Sequence, residues 1–147
     1  MSARRISLTV LGLVMMMFLH INTGTAEGNV NTFFSDTASK VKATAEPAQK
    51  RDILEKSFRT MSEALDMVQS SALISNEDRA GVDIIRTALQ EKQDELLGLN
   101  GFERVSDSQL DAFSDYVVQD MEQAAETVTI GLISALLIII IIILVVG

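Results

Sequence analysis

The chain predicts an all-α fold: a small antiparallel helical bundle or hairpin with a C-terminal transmembrane helix. Three observations predict it. Apolar residues in the middle of the chain recur at steps of three and four, the spacing of one helix face. Pro47 is the only proline, and no run of alternating β-branched residues reads as a strand. Val128 to Val146 is an uncharged, isoleucine-rich run of bilayer length.

At the front, Ser2-Ala3-Arg4-Arg5 is a short positive start, and Ile6 to Ile21 is apolar. Asn22 to Ala26 is polar and small, with Gly24 and Ala26 placed for a processing enzyme. This pattern predicts a signal peptide over residues 1–26, cut after Ala26. The alternative is an uncleaved anchor, but the run is shorter than the roughly 20 residues that cross a bilayer.

Residues 27–46 read as a weakly helical arm. Phe34, Ala38, Val41 and Ala45 allow one amphipathic helix among many Ser, Thr and Asn. The helical ectodomain is expected over 47–127. Leu54, Phe58, Met61, Leu65, Val68 and Ala72 form its first stripe. Pro47 suits the first turn, where a missing N–H costs little. Ser75 is placed as the next N-cap, with Asp78 in the reciprocal position of a capping box. Val82, Ile85, Leu89, Leu96 and Leu99 make the second stripe, interrupted by Lys92. Gly98, Asn100 and Gly101 stop that helix. Ser106 and Gln109 repeat the capping-box spacing. Leu110, Phe113, Val117, Met121, Ala124 and Val128 form the last stripe, which meets no breaker. One helix is therefore expected from about Asp107 through Val146.

Short links between the three later helices favour antiparallel neighbours. The apolar set is near the lower limit for a self-sufficient core, so oligomerisation is open. The first stripe also has coiled-coil spacing, but the short links favour a bundle core.

Residues 128–146 make a helix of about 28 Å, matching the hydrocarbon thickness. A chain this small is not expected to bury such a helix. Gly131 and Ser134 are small enough for helix–helix contact in the membrane, although ordinary lipid-facing filler explains them as well. A removable lipid-anchor signal fits poorly, because its small-residue site and spacer are badly placed.

The chain has 12 basic and 20 acidic residues, and dropping Arg4 and Arg5 leaves a net charge of −10. That argues against nucleic acid as a partner. Every charge after Arg104 is acidic, which fits a flank on the non-cytoplasmic side of a membrane, in a bacterial envelope or a secretory pathway. Asp111, Asp115, Glu122 and Glu126 lie near one helix face. They are the candidate partner-binding surface, against the plainer reading of a solvated face.

Chemistry is thinly represented. There is no cysteine, and the one histidine, His20, sits in the front apolar run. The usual base, thiol nucleophile and zinc ligands are missing from the remainder. The segment from Asn76 to Gly81 resembles a calcium loop only faintly, with Ala80 and Thr87 at ligand positions. No cofactor or metal is expected. The expected function is an exported, membrane-anchored helical interaction or structural module without catalytic activity. Its partners are lipid through residues 128–146 and a protein or a second copy. A membrane-active factor that inserts its tail in a target bilayer is the first alternative. A two-helix sensor subunit, needing an uncleaved front end, is the second.

Overall fold

The computed structural model describes residues 26–146, and every regular element among them is helical. The signal peptide expected over 1–26 lies outside these residues except for Ala26. Five α-helices follow in order: α1 Ala26–Ala43, α2 Pro47–Gln69, α3 Asn76–Leu97, α4 Leu110–Glu126 and α5 Leu132–Val146. A single 3-10 turn, Asp107–Gln109, leads into α4. The all-α class is as expected.

The expected arm is α1, an integral member of the bundle. Val30, Phe34, Ala38 and Val41 are buried along it, whereas Ala45 falls beyond its end and is exposed. Pro47 opens α2 at its first position. Leu54, Phe58, Met61, Leu65 and Val68 are all buried. Ala72 lies past the end of α2 and is exposed, and Ile74 fills the core instead. Ser75 caps α3 as expected, its Oγ accepting the Asp78 N–H at 3.1 Å. Gly98 ends α3 in the left-handed region at φ 72°. The Leu99 N–H returns to the Asp94 carbonyl at 2.9 Å, the closing bond of a Schellman motif. Leu99 itself is exposed.

Ion pairs mark the helix directions. Lys42, in the last turn of α1, meets Asp115 at 2.5 Å, and Lys50, in the first turn of α2, meets Asp111 at 2.5 Å. Hence α4 runs antiparallel to α1 and alongside α2 in the same sense. Arg51 of α2 is buried and donates to the Leu96 carbonyl at 3.1 Å, so α3 ends where α2 begins. The same guanidinium donates to the Val105 carbonyl at 2.8 Å and to Asp107 at 3.0 Å. One side chain thus ties the α3–α4 link to the bundle. Phe34, Phe58 and Phe113 form an aromatic ladder through α1, α2 and α4, with centroids 6.2 and 6.5 Å apart.

The largest departure from expectation is at the back. The single helix expected from Asp107 through Val146 is broken between Glu126 and Leu132. Thr127 to Ile130 is a β-branched run followed by Gly131, a stretch with weak local preference for a helix. Val128 and Ile130 turn inward and are buried. α5 then folds back along α2, burying Ser134, Ala135, Ile138 and Ile141. Its 15 residues extend about 22 Å. Among the described residues no helix is long and apolar enough to cross a membrane. The expected 19-residue spanning helix is thus not a feature of this fold, and the bundle accommodates one face of a helix that it was expected to be too small to bury.

Candidate functional site

The joint between α3 and α5 is built from three residues that sequence spacing alone assigned elsewhere. The first turn of α3 is held firmly. Arg79 donates to the Gln69 carbonyl and, at 3.0 Å, to the Ser71 carbonyl, fastening the end of α2. Gln69 returns the contact, donating to Asp83 at 2.6 Å. The Asp78 N–H on Ser75 is one half of the expected capping box, but the Asp78 side chain does not turn back to the Ser75 N–H to complete it. Its buried carboxylate instead reaches across to α5, accepting the Gly131 N–H at 3.0 Å and the Ser134 hydroxyl at 3.0 Å.

This is a helix cap supplied from a distance of more than fifty residues. The Ala135 N–H bonds to the Gly131 carbonyl at 3.0 Å, so Gly131 stands at the start of α5 and its N–H would otherwise lack an intrahelical partner. A carboxylate there also meets the positive end of the helix dipole. Two glycines make the approach close. A Cβ at Gly81 would overlap the Val128 side chain, and one at Gly131 would lie 3.0 Å from an Asp78 oxygen. Gly131 and Ser134, expected as a helix contact within a membrane, are thus placed against a charged residue of the bundle.

Beyond this joint, α5 presents an apolar outer side. Ile140 is 38% and Leu144 74% exposed, and no residue after Ser134 is polar. A helix apolar on every side is ordinarily covered on every side. This one is covered on one.

A second polar cluster lies inside the bundle. Lys92 occupies the apolar stripe of α3 and is 1% exposed. Its ammonium reaches Asp120 and Glu95, each at 2.6 Å, and sits 3.9 Å from the Tyr116 ring centroid. Burial alone would lower the Lys92 pKa. The hydrogen bonds that it donates to Asp120, Glu95 and Tyr116, with the charge of Asp120, outweigh burial and hold it above the ordinary lysine value. The group therefore stays charged and paired, the opposite of the depressed lysine a nucleophile requires. Nothing in the spacing of the α4 acids singled out Asp120. The signal available was Lys92 itself, a charge on an apolar stripe that needs a partner.

The four acids expected to form a partner surface divide in two. Asp111 and Asp115 are engaged by Lys50 and Lys42 of the bundle. Glu126 is exposed and Glu122 half-buried, and neither forms an ion pair among the described residues. No group of His, Cys, Asp and Glu among the described residues could hold a metal ion. A shallow cleft between α2 and α3 is lined by Glu55, Phe58, Arg59, Ser62, Glu63, Gln93, Leu96 and Leu97. Compared with protein-family models, curated proteins and solved structures, the chain matches none.

Proposed function

We propose that this protein is a non-catalytic helical module that attaches to a membrane through its C-terminal helix. α1 to α4 form the body that meets other proteins. The observation that carries this reading is the outer side of α5: exposed at Ile140 and Leu144, without a polar residue after Ser134. Lipid acyl chains are the surroundings in which such a side has no cost. The acidic stretch before α5 supports a position of the bundle on the non-cytoplasmic side, where basic flanks are not required. Residues 128–146 are long enough to span a bilayer as a continuous helix, although they do not form one in the docked fold.

The test is flotation with neutral phosphatidylcholine vesicles, using a chain that begins at Glu27 so that the front apolar run does not contribute. The wild-type sequence is expected to float. The I140Q/L144Q variant, which leaves the buried face of α5 untouched, is expected to stay at the bottom of the gradient. Equal behaviour of the two, whether both float or both sink, would show that the outer side of α5 is not a lipid contact.

A further inference from the structure

We propose that the Asp78–Gly131–Ser134 joint is a catch that holds α5 against the bundle, and that its release lets residues 128–146 join α4 as one bilayer-entering helix. The inference rests on the reading of α5 as the lipid-contacting element and adds how that contact is controlled. Both arrangements satisfy the backbone. In the docked form the α5 N-terminus takes its cap from Asp78, and α4 closes with the Val128 N–H on the Ala125 carbonyl at 3.1 Å. In the released form the N–H groups from Val128 to Gly131 would bond to carbonyls of α4's last turns, as in any continuous helix. The docked form gains the burial of Val128, Ile130, Ile138 and Ile141 and the two hydrogen bonds to Asp78. The released form gains helix continuity and, in lipid, burial of every side of the run. Two packings balanced in this way respond to any surroundings that favour one of them.

The catch has the marks of a joint rather than of core packing. It consists of one carboxylate on a capped turn of α3, two donors on α5, and close approach at Gly81 that a methyl group would obstruct. Beyond it α5 has no charged or polar anchor, because nothing polar follows Ser134.

The chain contains no tryptophan and no cysteine, which makes the test direct. L144W in the full chain places a single reporter at the exposed end of α5. Its quenching by brominated acyl chains in phosphatidylcholine vesicles reads whether α5 has entered lipid. D78C/S134C/L144W locks the joint when oxidised and abolishes the catch when reduced. D78A/L144W removes the catch, and G81A/L144W obstructs the docking of Val128 while leaving Asp78 in place. The expected result is weaker quenching for the oxidised lock than for L144W alone, and quenching at or above the L144W level once the lock is reduced. Partition into lipid should rise about tenfold for D78A, the equilibrium ratio carried by a charge-assisted hydrogen bond of ordinary strength. G81A should move in the same direction. Quenching of the oxidised lock equal to that of L144W alone would overturn the catch while leaving lipid contact standing. Absence of quenching in all variants, reduced lock included, would overturn both.

Discussion

Lys92 is where a single residue says most about this bundle. A lysine on an apolar stripe is tolerated only if its charge is met, and Asp120, Glu95 and Tyr116 meet it from α3 and α4. Breaking such a pair leaves a buried charge without its partner, whereas replacing the lysine with an apolar side chain of similar length does not. Asp120→Ala is therefore expected to lower stability by about 2–3 kcal/mol. The K92M/D120A double variant should recover much of that loss, and urea midpoints of the three proteins measure it. A double variant less stable than Asp120→Ala would remove the ion-pair account. The cluster also predicts a pH response. The folded-state pKa of Lys92 lies above that of the unfolded chain, so its contribution is complete below about pH 10.4, the ordinary lysine value. It declines as pH rises further toward and through the folded-state value. Urea midpoints of wild type should fall more steeply above pH 10 than those of K92M, which lacks the titrating group.

At the scale of elements, the links matter more than the helices they join. The stretch from Gly98 to Asp107 has little apolar content to hold it, and Gly98, Asn100 and Gly101 all have positive φ. Arg51 substitutes for packing by donating to two main-chain carbonyls, of Leu96 and Val105, and to Asp107. Arg51→Ala is expected to cost about 2 kcal/mol, because acceptors lose a charged donor in a buried setting. Hydrogen exchange should then accelerate in residues 98–107 more than in α1. Uniform acceleration across the molecule would mean that Arg51 supports the whole bundle and not this link. Of the helices, α2 and α3 were legible in advance, whereas α4 and α5 were read as one. Proline at the start of α2, serine before α3 and the glycine stop after α3 are local signals, and each operates where it was read. The reciprocal role of Asp78 was not legible, because a carboxylate at that spacing can turn back to its own helix or outward to another, and only the arrival of α5 decides.

For the molecule as a whole, α5 differs from the other helices in being packed on one side only, against α2 and α1. It is held by one face and one capped end, while α2 is covered along its length by α1, α3 and α5. Local opening should thus separate α5 before the rest unfolds. Native-state hydrogen exchange is expected to show α5 amides exchanging at a denaturant-independent rate well ahead of those in α2. Exchange of α5 only with global unfolding would place it in the same cooperative unit as the core.

The division between what was written in the chain and what assembly added follows the range of the interactions. Sequence by itself determined an all-helical chain, the bounds of α2 and α3 to within a turn, and the core stripes from Leu54 to Met121. These rest on contacts three and four residues apart and on caps that lie beside the helices they close. It also marked α5 as apolar. The tertiary structure decided that Lys92 is buried with Asp120, that Asp111 and Asp115 serve the bundle's own lysines, and that the last helix breaks at Thr127 and folds back. Local preference at Thr127 to Gly131 is weak in either direction. Asp78, fifty-three residues upstream of Gly131, caps the start of α5 in the docked fold, and a partner at that separation becomes visible only when the chain is packed.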